Sequence, residues 1–398
     1  TTSDNNTAIG YGALTANTTG SQNVAVGADS LDANTTGSSN SAVGSAALGA
    51  NTTGIRNTAV GYAALSSNTA GNYNVAVGYD ALGDASGSNN TAVGNDALCK
   101  LTTGGNNVAM GINALDACTT GGQNTAIGGF ALDNNTTAAN NTAIGYQAME
   151  MNTTGVQNTA VGSGALEEQL TNSCTAVGYQ ALNKNTTGAE NTAMGSNALD
   201  ANTTGNYNHA FGNNALGANT TGHGNVAMGI NALLVNNANY CVAIGGFALD
   251  ANTTGAENVA IGYNSLTANT TGTQSTAIGY ETLTANTTTG ESTAVGYRAL
   301  KAMTTGARNN AIGTYSASQI TTGDRNESMG YAALYNATTA NYNVSIGYKS
   351  LHNTNANYNV GVGYEALHAN TTGTQNTAVG AYALDANTTA DNNTAVGY

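Results

Sequence analysis

Apolar residues recur along this chain in a fixed rhythm. The phrase Ala, then Val, Ile, Met or once Phe (Phe211), then Gly returns from Gly10 to Gly397, giving twenty-four landmark glycines. Of the twenty-three gaps between them, nineteen are 17 residues and four are 16. The residue before each glycine is apolar every time, and the one before that is Ala except at Ser328, Ser345 and Gly361. Four residues after the glycine comes Leu, with Met149 and Ala317 as the exceptions. Polar positions are as regular: a unit such as Asn141–Gln157 reads NTAIGYQAMEMNTTGVQ. A short, unbroken period predicts a solenoid, in which each turn stacks on its neighbours and none folds alone.

The pattern within a unit selects strand over helix. Gly and Asn-Thr-Thr-Gly leave at most about nine residues between breakers, short of the ~12 an isolated helix needs, and Thr, Val and Asn are poor helix formers. Asn-Thr-Ala-Val shows the period-two alternation of a strand, and Ala-Leu with its neighbours reads as a second. Gly and Asn tolerate φ > 0, so corners fall at the landmark glycines, among them Gly10, Gly27, Gly44, Gly61, Gly78, Gly145, Gly262 and Gly380, and at Asn-Thr-Thr-Gly. The expectation is an all-β parallel β-solenoid, a β-roll of about 23 turns with 16–17 residues and two short strands per turn. Residues 1–398 read as one continuous repeat domain, about 110 Å long at ~4.8 Å per turn, and as a segment of a longer chain.

Alternation also separates two faces. With Val and Leu filling the roll, Ala forms an outer small-residue stripe suited to close packing on another chain. One Val and one Leu per turn, ~1.5–3 kcal/mol each, barely offset ordering a turn at ~1–2 kcal/mol per residue. Self-association is therefore expected, as a homotrimer or as an end-to-end polymer.

Composition narrows the function. Charged residues make up 8% of the chain, net charge is −14, and Pro and Trp are absent. Eight Lys and Arg do not make the basic footprint that nucleic acid requires. Five of them (Arg298, Lys301, Arg308, Arg325, Lys349) fall in one stretch and read as a solvated face. No apolar run approaches a membrane span. Four cysteines are too few for a disulfide framework and read as buried fillers: Cys174 and Cys241 stand four turns apart, and only the Cys99–Cys118 spacing approaches bridging distance.

The phrases Asn-Val-Ala-Val-Gly (23–27) and Asn-Val-Ala-Ile-Gly (258–262) resemble the head repeats of trimeric autotransporter adhesins, the YadA-like left-handed parallel β-roll, and are similar to phrases in bacteriophage tail fibres. The units here are longer than that head repeat by the Ala-Leu and Asn-Thr-Thr-Gly segments. The resemblance implies a homotrimeric, non-catalytic fibre that is extracellular, on a cell surface or on a virion, and binds a host surface, matrix or glycan. The function expected is a fibre or adhesin segment for attachment or spacing. A tail-fibre shaft and a self-assembling, glycosylated filament are the alternatives.

Candidate chemistry is sparse. Asn-Thr-Thr occurs thirteen times, and Asn17, Asn34, Asn51, Asn152, Asn202 and Asn252 are among these N-glycan acceptor sequences. The same motif is a turn in which Asn and Thr hydrogen-bond the backbone, and repetition alone favours that second reading. Adjacent threonines do not form the spaced array that orders ice. Tyr follows the landmark glycine in twelve units, as a row to stack on sugars or a partner, or to shield a corner. Asp follows Leu in six units, too few for calcium in every turn. His209, His223, His352 and His368 are scattered and pair with nothing, and no catalytic motif or cofactor site is present in the sequence. Enzymatic activity is not expected.

Overall fold

Each repeat contributes a single three-residue strand, from β1 (Thr7–Ile9) through β9 (Thr142–Ile144) and β19 (Asn310–Ile312) to β24 (Thr394–Val396). The computed structural model describes residues 3–398, all-β and without a helix among them. It divides into two units, Thr1–Asn197 with Asn202–Thr204 and Ala198–Ala201 with Gly205–Tyr398. Within each unit successive strands pair parallel and in register, so that Ala143 of β9 stands beside Ala126 and Ala160. The β-solenoid expected from the period is present in both units.

The second strand expected in each turn does not form. After the glycine, the residues two and four positions on adopt left-handed backbone, as at Ala63 (φ 55°) and Leu65 (φ 54°). These conformations destroy the two-residue pleat, and Ala64 and Leu65 consequently both point inward, which adjacent residues of a strand cannot do. Backbone hydrogen bonds still run from turn to turn. The Leu65 and Ser67 N–H groups donate to Ala81 and Gly83 oxygens (3.0 and 2.9 Å), and the Gly61 and Ala63 N–H groups donate to Val43 and Ser45 oxygens (2.8 and 2.9 Å). The non-strand arc therefore satisfies its polar backbone along the stacking direction, as a strand would.

The two faces are the reverse of the expected ones. Ala59, Ala143 and Ala311 are fully buried, while the flanking Thr and Val or Ile stand half-exposed or exposed. The roll is thin: a Cβ built on Gly361, which stands in one of the Ala places, falls 3.1 Å from Leu351 Cγ, and the Leu side chains are themselves fully buried. Only a small side chain fits against them, Ala at most places and Ser at Ser328 and Ser345, so the small residue faces in and its bulkier neighbours are turned out.

Candidate functional site

The interior is built around asparagine rather than Val. One ladder is the Asn that precedes each strand. The Asn141 N–H donates to Asn124 Oδ1 (3.0 Å), its Nδ2 donates to the Gly155 carbonyl (2.8 Å), and its Oδ1 accepts from the Asn158 N–H (3.0 Å). The second ladder is the first residue of Asn-Thr-Thr. Asn51 Nδ2 donates to Asn34 Oδ1 (2.8 Å) and to the Gly54 carbonyl (3.1 Å), and Asn34 Nδ2 donates to Asn17 Oδ1 (3.0 Å). Buried amides paired in this way supply the stabilisation that the small apolar core lacks.

That placement corrects the glycan reading of these asparagines. Asn34, Asn51, Asn152, Asn202 and Asn252 are wholly buried, with the nitrogen that would carry sugar facing the interior. Only toward the chain ends is a member partly exposed, as at Asn17, whose Nδ2 still donates to the Gly20 carbonyl (3.0 Å). The motif is a corner, and its glycine, Gly54 in this turn, presents the carbonyl that both ladders use.

The landmark glycines occupy backbone that side chains rarely adopt, with φ of 137°, 142° and 134° at Gly27, Gly145 and Gly262 and 129° at Gly380. Each also lies against the next turn: a Cβ built on Gly229 falls 2.7 Å from both the carbon and the oxygen of the Gly245 carbonyl, and Gly10, Gly44, Gly61 and Gly78 are similarly blocked by the following glycine. Two reasons, backbone conformation and close approach, thus require glycine there.

The outward side of the strands carries whatever this protein offers to a partner. Val60, Met110, Ile127 and Ile144 are 36–42% exposed, in a row one residue before the glycines, beside a parallel row of Thr and Val. Next to it runs the tyrosine column. Tyr62 stacks on Tyr79 (5.4 Å between centroids), and Tyr263, Tyr280 and Tyr297 stack in series (5.7 and 5.4 Å).

The remaining titratable groups are distributed less regularly. Asp116, Asp133, Glu150 and Glu167 hold one position on four successive turns, a row that the count of Asp alone had missed because two of its members are Glu. Burial, then Asp116 and Glu150, push the Asp133 carboxyl up to about 6, and Lys100 Nζ lies 2.6 Å from Asp116. Among the described residues no group of His, Cys, Asp and Glu converges on a metal-binding point. All four cysteines are free; Cys118, Cys174 and Cys241 are buried in the places of ladder asparagines, and burial drives the Cys118 thiol up to about 11. His352 and His368 are not solitary: their rings stack at 5.3 Å, with Tyr335 on the other side of His352 at 5.4 Å. The Asn206 N–H donates to His223 Nδ1 (3.0 Å). Nor are the clustered cations simply solvated. Arg298 and Lys301 share Glu281 (2.9 and 2.6 Å), Arg308 pairs with Glu291 (2.7 Å), and Arg325 and Lys349 lie over the Tyr342 and Tyr348 rings (5.4 Å each).

No protein-family model matches the chain, and no curated protein matches it. Among the described residues no helix is long and apolar enough to cross a membrane.

Proposed function

We propose that this chain is a non-enzymatic segment of an extracellular fibre or adhesin, in which turns stack to space and present an outer surface, and in which copies associate through the outward Val/Ile row. The carrying observation is that row itself. A side chain of this size left about 40% exposed gains about 1 kcal/mol when the remainder is covered. Seven of the twelve row residues of the first unit are at least 36% exposed, and their sum of about 7 kcal/mol offsets an association cost of ~4–15 kcal/mol. Contiguous apolar surface on this scale marks an interface. A closed ring of three copies, which buries the row on every copy, is the assembly favoured by the resemblance in the repeat phrase.

Sedimentation equilibrium at micromolar concentration tests the assembly. A trimer is expected, and Ile127→Lys with Ile144→Lys should weaken it by placing charges in the row. A monomer for the unsubstituted chain would overturn the association. Limited proteolysis of intact producing cells or particles tests location: the chain should be cleaved from the outside, and protection until lysis would overturn the extracellular assignment.

A further inference from the structure

In the second unit one turn departs from the repeat. Residues 313–320 read Gly-Thr-Tyr-Ser-Ala-Ser-Gln-Ile where 296–303 read Gly-Tyr-Arg-Ala-Leu-Lys-Ala-Met, so the tyrosine has moved one place along. On either side the column is stacked face to face: Tyr280 with Tyr297 at 5.4 Å, and Tyr331 with Tyr348 and Tyr348 with Tyr364 at 5.4 and 5.1 Å. Thr314 leaves a gap in it. Tyr315, in left-handed backbone at φ 59°, presents its ring edgewise to Tyr297, Tyr331 and Tyr335 (5.3, 6.3 and 6.0 Å).

Two clefts of about 330 and 390 Å³ open around this ring, sharing Tyr315 and Tyr335 as walls. Arg298 and Lys301 line the first and Lys349 the second, and among the described residues no carboxylate lines either. Glu281 holds both Arg298 and Lys301 from beside the first cleft (2.9 and 2.6 Å), which positions the two cations while neutralising only one charge. In a chain of net charge −14, a surface that pairs aromatic walls with an excess of cations requires a reason.

We propose that these paired clefts bind a carboxylate-bearing polysaccharide of the uronic acid class. Tyrosine offers an apolar ring face to the C–H face of a sugar and a hydroxyl to its edge. Arg and Lys match the carboxylates, and the planar guanidinium can engage both oxygens of one. Spacing fits as well. The turns that carry Arg298 and Lys349 are three apart, about 14 Å at ~4.8 Å per stacked turn, and a pyranose is comparable in length to one turn. A duplex nucleic acid, with one charge per ~1.7 Å, would meet far more repulsion from the acidic chain. The inference goes beyond the fibre reading and does not require the trimer.

The test is titration of the full chain with oligogalacturonate and with its methyl ester, followed by tyrosine fluorescence, since the chain has 20 Tyr and no Trp. The acid form should bind about tenfold or more tightly than the ester, the factor expected from losing one charge-assisted contact. Lys349→Gln, at a half-exposed surface position, should weaken the acid form several-fold, and Arg298→Gln with Lys301→Gln more. Thr314→Tyr with Tyr315→Ala keeps the aromatic content but restores the column, and should abolish binding. Tyr79→Ala, in the other unit, should leave it unchanged. Absence of binding, equal binding of acid and ester, insensitivity to Lys349→Gln, or equal competition by polyglutamate would each overturn the proposal. Sedimentation is read separately, so failure of the trimer and failure of the clefts are distinguishable.

Discussion

The turn that begins at Gly145 and the turn that begins at Gly313 share the glycine corner and the strand before it; inside, Ser316, Ala317 and Ile320 replace Ala148, Met149 and Asn152, and outside the aromatic moves. Both glycines are in the same unusual backbone (φ 142° and 132°), both follow a three-residue strand with a buried Ala, and both bury the residue four places on, Met149 in one and Ala317 in the other. The outward aromatic stays in its column at Tyr146 and leaves it at Tyr315. Inward positions are held by contacts to two neighbouring turns at once, so a change there propagates. Outward positions touch only solvent and each other, and can vary without loosening the stack.

The largest expected effect tests the shared part. Gly145→Val and Gly313→Val should each cost more than about 3 kcal/mol, since left-handed strain adds to collision with the Gly162 or Gly330 carbonyl. Hydrogen exchange at flanking amides is the suitable measurement, because long repeats do not unfold in two states. A neutral outcome at Gly313 alone would show that the aberrant turn is loose inside as well as outside.

Removing a ladder amide comes next. Asn141→Ala orphans the Asn158 N–H but leaves the Gly155 carbonyl its bond from Asn152 Nδ2 (3.0 Å), whereas Asn326→Ala orphans both the Asn343 N–H and the Ala340 carbonyl. Each should lose about 2–3 kcal/mol, the cost of leaving buried polar groups unpaired. A larger loss at Asn326, where two groups are left unpaired, would sharpen the comparison, and a smaller loss there than at Asn141 would break it.

Asp133 supplies a pH-dependent contrast within the first unit. Its folded carboxyl is raised to about 6 by burial and by its acidic neighbours, so the folded state binds the proton more tightly than the unfolded chain. Stability from this group is therefore gained as pH falls from above 6 toward 4, and is absent above 6. Asp133→Asn should stabilise by about 1 kcal/mol at pH 7.5, after allowance for water around a half-exposed group, and should have little effect at pH 4. Melting curves at the two pH values decide; an equal gain at both would assign the effect to packing.

The smallest effect concerns a repair. Ser275 and Ser292 stand where the ladder has Asn, and Ser275 Oγ, Asn269 Oδ1 and Asn286 Nδ2 are buried without partners. Ser275→Asn with Ser292→Asn should restore the ladder and gain about 1 kcal/mol, detectable as slower exchange of the amides in those turns.

The period, the glycine corners and the solenoid were legible in the sequence because glycine at a fixed interval admits few other physical readings. The left-handed positions were also marked. Two places after the glycine, the residue is Asp, Asn or Gly in ten of the twenty-three turns, as at Asp29, Asn113 and Gly164, and these residues tolerate that backbone. Read together with the adjacent apolar Ala-Leu pair, that signal argues against the second strand.

Alternation in Thr-Ala-Val establishes that there are two faces without saying which is inside. That was decided by the opposite arc, whose Leu leaves room only for a side chain as small as Ala or Ser, so Ala turned in and Val out. The same thinness drew the Asn of Asn-Thr-Thr inward, since in so small a core the hydrogen-bonded amide does what apolar volume cannot. Sequence determined the repeat and its corners, which are local properties of backbone and side chain. Tertiary structure decided orientation and the clefts around Tyr315, because both depend on the distance between arcs and turns that meet only when the chain stacks.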